Sequence, residues 1–230
     1  MGWWNMLSDK NFLALRLEGP LQSWGFDSQY NRRNTGLMPT KSAMAGMCCA
    51  ALGFPRGSDE ERLFLASFGK VRMTVISIPR QGKKKELQVR RLEDYHTVQN
   101  TKKADGTIKD CHITHRQYLT DASFGVILEG ASALLKQIAD AFGNPVWGIW
   151  LGRKTCIPSA PVFAGLKNNQ DEALSLLIGE KSLKSFTRQE EVENFAEGLD
   201  SLPDTPVSFA TDHRSFSPRR VRTIHAVKSL

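Results

Sequence analysis

Six side chains that move protons or hold phosphate lie close together in the chain: Tyr95, His96, His112, His115, Arg116 and Tyr118. Metal-free cleavage of RNA needs a general base, a general acid and a cation beside the phosphorane, and His, Tyr and Lys fill those roles. The same residue types stack on bases and contact phosphates, so composition leaves both cleavage and binding open. Other chemistries have less support. His112 and His115 are three apart in a segment that alternates as a strand, which sends them to opposite faces, and no carboxylate cluster completes a metal site. Neighbours in Asp110-Cys111-His112 diverge for the same reason, so Cys111 reads as structural. The chain has no G-x-x-x-x-G-K-[ST] and no G-x-S-x-G, which removes support for nucleotide hydrolysis and acyl transfer. No metal and no other cofactor is expected.

Three further places suit phosphate or base contacts. Gly152-Arg153-Lys154 follows an apolar run, so two cations sit on a glycine turn whose backbone N–H groups reach an anion. A plain β-turn with solvated charges is the alternative. Thr40-Lys41-Ser42 opens a helix, and helix N-termini attract phosphate, although simple N-capping explains the same residues. Trp24 stands in a loop with Gln22, Ser23 and Gly25, where it either offers a ring for base stacking or folds back over the core.

The charge distribution points the same way. The net charge is +7 and the pI about 9.3. Residues 80–116 carry ten Lys/Arg against five Asp/Glu, residues 213–230 carry five against none, and residues 167–212 carry four against ten. Two basic segments and one acidic segment form an electrostatic footprint, and clustered Lys/Arg favour a polyanion partner through counterion release. With 230 residues, 40% of them hydrophobic and 24% charged, the chain has ample core material. No apolar run of membrane-spanning length occurs, and MGWWNMLSDK lacks the pattern of a secretory signal. Cys48, Cys49, Cys111 and Cys156 form no C-x-x-C pair and read as reduced thiols in a cytoplasmic protein.

These residues need elements to position them. FLALRL reads as a first strand ended by Gly19-Pro20, and Thr40 to Leu52 as a helix closed by Gly53. Ser58 and Glu61 have capping-box spacing before a second helix, DEERLFLASF. Lys70 to Ile78 alternates as a strand. Leu87 to Thr101 and Ile108 to Leu119 form two polar arms about Asp105-Gly106, a hairpin too polar to be core, with Lys102, Lys103 and Lys109 near its tip. ASFGVILE, ASALLKQIADAF and VWGIWL then read as strand, helix and strand. Without the hairpin the order is β-α-β-β-α-β, the ferredoxin-like pattern of an α+β fold. The acidic stretch 168–199 reads as one or two surface helices, and Val207 to Ala210 and Val221 to Val227 as short strands. In such a fold the loop after the first strand, the start of the first helix and the loop after the last strand meet near one end of the sheet.

LRLEGPLQSWG, PTKSAMAGMCCAALG, EDYHTV, RQYLTDASF and LGRKTCIPSAPVF, in that order, together with the basic end SFSPRRVRTIHAV, resemble the Cas-five family of RAMP proteins, in the subtype I-E form found in CRISPR Cascade complexes. The resemblance runs from about Phe12 to Phe163 and implies one RAMP domain over 12–230, with a thumb hairpin at about 87–119, a C-terminal segment at about 164–230 and residues 1–11 as an extension. It implies a non-catalytic subunit that caps the 5′ handle of the CRISPR RNA in antiviral defence. Its partners would be a CasC-type backbone subunit and a CasA-type large subunit, with target DNA nearby and no membrane. On this resemblance Gln22, Ser23, Trp24 and Gly25 hold the bent handle. Thr40, Lys41 and Ser42 meet its phosphates, as do Gly152, Arg153 and Lys154. Lys102, Lys103 and Lys109 reach across the RNA, Arg116 lies on the hairpin, and Arg219, Arg220 and Arg222 add backbone contacts. A related subtype I-C cap is an endoribonuclease using Tyr, Lys and His. TKSAMAGM lacks a Tyr here, which weakens the alternative reading of a metal-independent endoribonuclease that processes precursor CRISPR RNA.

Overall fold

The computed structural model describes residues 10–25, 27–81, 86–87, 89–103, 105–194, 196–198 and 200–227. The chain is an α+β protein. Its main elements are β1 (Lys10–Glu18), α1 (Lys41–Leu52), α2 (Asp59–Phe68), β2 (Arg72–Ser77), β3 (Arg90–Lys102), β4 (Ile108–Thr120), β5 (Ser123–Ala131), α3 (Ser132–Gly143), β6 (Phe163–Lys167), α4 (Gln170–Ile178), β7 (Arg188–Val192), β8 (Asp200–Ser208) and β9 (Ser215–Ile224). Seven strands pair in the order β6-β1-β5-β2-β7-β9-β8, every pair antiparallel. Strand β1 already lies at Lys10, within the expected N-terminal extension, whose first nine residues are outside the described set.

Strand alternation divides the core. Leu13, Leu15 and Leu17 of β1 face a layer built from α1, α2 and α3, where Met44, Phe68 and Ile138 are buried. Ala14 points the other way and packs with Ile76 and Ile127 beneath Ala173, Leu174 and Leu177 of α4. The helix ends follow their sequence signals. The Thr40 hydroxyl accepts from the Ala43 N–H at 3.2 Å, and Gly53 takes the left-handed conformation at φ 74°. Ser58 accepts from the Glu61 N–H at 3.2 Å, while the Glu61 carboxylate reaches one residue further back, to the Gly57 N–H at 2.8 Å.

Three expectations are corrected. VWGIWL is not a strand. Its first N–H groups close the end of α1: Val146 N–H donates to the Ala51 carbonyl at 2.9 Å and Trp147 N–H to that of Ala50 at 3.1 Å. The sheet takes Phe163–Lys167 in its place, on the free edge of β1. The acidic stretch is also more than surface helix. It contains α4, which is packed on the sheet, and β7, which lies between β2 and β9. The final strands run at 200–208 and 215–224 rather than at Val207–Ala210 and Val221–Val227.

A buried charge cluster fastens these later strands to α1. Lys41 is fully buried, and its ammonium donates to both Glu191 oxygens at 2.8 and 3.1 Å and to the Gly69 carbonyl at 3.1 Å. Asp204 accepts from Arg219 at 2.6 and 3.0 Å and from the Lys41 backbone N–H at 2.9 Å. A carboxylate of the chain itself therefore sits on the first turn of α1. Burial pulls the Lys41 pKa below its ordinary value, opposed by the adjacent Glu191 charge.

Candidate nucleic-acid interface

A groove of about 1180 Å³ opens beside the first turns of α1. Ser23 and Gly25 line it from the loop after β1, Thr40 and Ser42 from the start of α1, and Gly152, Arg153 and Lys154 from the glycine turn. These three distant segments do meet in one place. The turn fits because Gly152 has no side chain. It sits at φ +101°, and a Cβ there would lie 1.8 Å from the Ser23 carbonyl oxygen. The Ser23 N–H donates to the Leu151 carbonyl at 3.0 Å, which fixes the two loops together.

Several expected contact residues prove to be supports. Trp24 is fully buried, and its indole N–H donates to the Gln22 side chain at 3.2 Å, so it presents no ring for stacking. Gln22 is buried too and donates to the Leu17 and Ala122 carbonyls at 3.0 and 2.7 Å. Ser23 is buried against the Gln117 carbonyl, and the Thr40 hydroxyl is engaged as the cap of α1. Lys41 is removed from the surface by its ion pair with Glu191. Arg219 is committed to Asp204, whereas Arg222 pairs with Glu190 at 2.8 Å and stays half exposed. These corrections share one cause: a polar side chain near a packed element forms its bonds internally when partners are close.

The two cations of the glycine turn divide by role. Arg153 donates to the Gln117 carbonyl at 3.0 Å and to that of Arg33 at 2.7 Å, and its guanidinium lies 4.5 Å from the Tyr118 ring centre. It fastens the turn to the root of the hairpin. Lys154 is exposed, and among the described residues no carboxylate pairs with it.

The groove also holds residues that the sequence reading passed over: Arg33, Arg56, Arg214, Trp147 and Trp150. Trp147 is 46% and Trp150 36% exposed. The available signal was Gly148, which interrupts the apolar run and argues against a central strand. The carboxylates lining the groove, Glu61 and Asp204, are buried and hydrogen-bonded inward, so its accessible charge is positive.

The remaining candidates stand on the hairpin, away from that lining. Arms β3 and β4 pair in register from Arg90 with Thr120 to Lys102 with Ile108. Their root is buried at Thr114, Tyr118 and Leu119, and it is joined by Leu21–Gln22 and Arg32–Arg33. Lys102, Lys103 and residues 105–111 are exposed. The Lys109 ammonium lies 3.1 Å from His112 Nδ1, and Arg116 donates to the Thr114 hydroxyl at 3.1 Å. Tyr95 meets His115 edge-on at 5.2 Å, and His115 Nδ1 lies 3.1 Å from Glu93. Among the described residues no three metal-ligating side chains cluster. Burial raises the thiol pKa values of Cys48 and Cys49, the latter to about 12, which keeps both protonated and unreactive. No described helix is long and apolar enough to cross a membrane.

Comparison with known proteins assigns the fold a lineage. CasD, the CRISPR system Cascade subunit of Escherichia coli strain K12, is 32% identical over 173 residues, covering 73% of this chain and 76% of that one. A chain of a CRISPR RNA-guided surveillance complex matches with a TM-score of 0.73 at 28% identity, covering 93% of this chain and 89% of its own. The crystal structure of a Cas protein matches at 0.65 and 30% identity, covering 94% and 95%. The family described as CRISPR-associated protein (Cas_Cas5) matches residues 12–222, and the chain belongs to that family.

Proposed function

We propose that this protein is a CRISPR RNA-binding subunit of a type I Cascade complex, in which the groove beside α1 holds the 5′ handle of the guide RNA. The observation that carries the reading is the convergence of Gly25, Ser42 and Lys154 on one basic groove in a chain related to a Cascade subunit. The strand order β6-β1-β5-β2 with α1 and α3 on one face is read as ferredoxin-like, completed by Phe163–Lys167. The exposed hairpin is read as the thumb of a single RAMP domain, with Lys102, Lys103 and Lys109 directed toward RNA, a CasC-type neighbour or target DNA. A CasA-type large subunit and a cytoplasmic location complete the reading. The subunit acts by binding and not by catalysis.

The test uses the purified chain with end-labelled repeat RNA in EDTA, run in parallel on native and denaturing gels. A shifted but intact RNA is the expected result. A single metal-independent cut at the base of the repeat hairpin would instead establish the endoribonuclease reading, with Tyr95, His96, His112 and His115 as its residues. Lys154→Ala is expected to weaken the shift and to lower the salt slope by about 0.7, one phosphate contact on a single strand. An unchanged slope removes Lys154 from the site.

A further inference from the structure

The groove is also lined by two arginines, Arg56 and Arg214. Arg56 lies in the loop between α1 and α2, and Arg214 in the turn between β8 and β9. These two loops touch, since a Cβ on Gly57 would lie 3.3 Å from that of Ala210. The Arg214 guanidinium is held 5.8 Å from the Phe209 ring centre and 5.2 Å from that of Phe216, and the two rings meet edge-on at 6.3 Å. Burial, and after it the nearby Arg56 charge, lowers the Arg214 pKa. Among the described residues neither guanidinium has a carboxylate partner, whereas three arginines of the neighbouring elements do: Arg62 with Asp59, Arg72 with Glu193 and Arg219 with Asp204. Two like charges on one wall repel unless an anion from outside lies between them.

Trp147 and Trp150 line the same groove. Both are partly exposed although their backbone is fixed. The Trp147 N–H is bonded to the end of α1, and the Trp150 carbonyl accepts from the Gly152 N–H at 2.8 Å. A large apolar ring left open to water on rigid backbone is available to a flat partner at little entropic cost.

We propose that Arg56, Arg214, Trp147 and Trp150 form a nucleotide subsite of the groove, in which the two guanidiniums hold a backbone phosphate and an exposed indole stacks on a base of unpaired RNA. The subsite rests on the reading that the groove holds RNA. It adds to the glycine turn a second grip within the same groove, and it selects single strands, because bases in a duplex have no free face to stack.

The test compares wild type with Arg56→Gln/Arg214→Gln, Trp147→Ala and Trp147→Phe, using an end-labelled single-stranded repeat RNA in a salt titration, with thermal midpoints as the folding control. The double arginine variant is expected to bind about tenfold more weakly, and its log–log salt slope is expected to fall by about 1.4, two phosphate contacts. Trp147→Ala should weaken binding by roughly tenfold with the slope unchanged, and Trp147→Phe should restore it. In the unaltered protein, added RNA should quench tryptophan fluorescence, a readout that needs no substitution. Arginine variants with wild-type affinity and slope overturn the phosphate clamp. Equal binding by the Ala and Phe variants together with unquenched fluorescence overturns the stacking. A wild-type protein that shifts no RNA at all overturns the parent reading along with the subsite. Loss in the double arginine variant and in Trp147→Ala, with binding kept by wild type and by Trp147→Phe, supports both.

Discussion

Lys41→Ala is expected to lower the thermal midpoint by about 6–20 °C. The ammonium it removes is fully buried and donates to Glu191 at 2.8 Å and to the Gly69 carbonyl at 3.1 Å. Without it the Glu191 carboxylate, whose side chain is only 15% exposed, loses its closest positive partner, since Arg219 is 3.8 Å away and already bonded to Asp204. Removing one partner of a buried pair costs about 3–5 kcal/mol, and each kcal/mol moves the midpoint of a domain this size by about 2–4 °C. Replacing both partners by groups of similar shape is far less harmful. Lys41→Met/Glu191→Gln should therefore recover much of the loss, and a thermal scan of the two single variants and the double variant reads the coupling. A Lys41→Ala midpoint within 2 °C of wild type, on the order of a 0.5 kcal/mol surface change, would show that the cluster is not holding the later strands to α1.

Two glycines beside the groove should respond very unequally to the same change. Gly152→Ala places a methyl group 1.8 Å from the Ser23 carbonyl oxygen on a backbone at φ +101°. The obstacle is backbone and not the end of a flexible side chain, so one of the two loops must move. The left-handed conformation alone costs about 1–3 kcal/mol for a residue with a Cβ, and the displacement adds to it. The loss should reach about 3 kcal/mol or more, with RNA affinity falling further because Lys154 moves with the turn. Gly25→Ala has nothing within 4 Å of its new methyl group, and its stability should stay within about 0.5 kcal/mol of wild type. Denaturant melts of the two variants decide the matter, and equal effects would show that the loop contact at Ser23 does not set the groove.

Local signals in the sequence were sufficient wherever the governing interaction lies within a few residues. Thr40, Gly53 and Ser58 act as the caps their types suggest, because a cap bonds to a backbone group three or four positions away. Asp105-Gly106 turns the hairpin, with Gly106 at φ +81° and the Asp105 carboxylate accepting from the Thr107 N–H at 2.9 Å. VWGIWL was misread because an apolar run reports burial and β-propensity but not which backbone acceptors are nearby. Here they belong to the last turn of α1, nearly a hundred residues earlier in the chain. Strand β7 was missed because three of its five residues are charged and only Val192 is apolar. Arg188, Glu190 and Arg222 neutralise one another across β7 and β9, a pairing that no alternation of apolar residues records.

The same division runs through the site. Sequence by itself determined the positive charge, the glycine turn and the hairpin with its lysines, because each follows from residue type or spacing; the three segments do meet, but the third follows no strand and is held to the first by the Ser23 N–H bond to the Leu151 carbonyl. Only the tertiary structure decided which of those side chains face outward. Trp24 and Lys41 have the chemistry to hold RNA but lie inside, one beside Gln22 and the other beside Glu191. Trp147, Trp150, Arg56 and Arg214 carried no motif, yet they line the groove. The reason is physical: whether an aromatic ring or a cation is free for a ligand depends on whether a partner from a distant part of the chain has already satisfied it, and that is settled by packing.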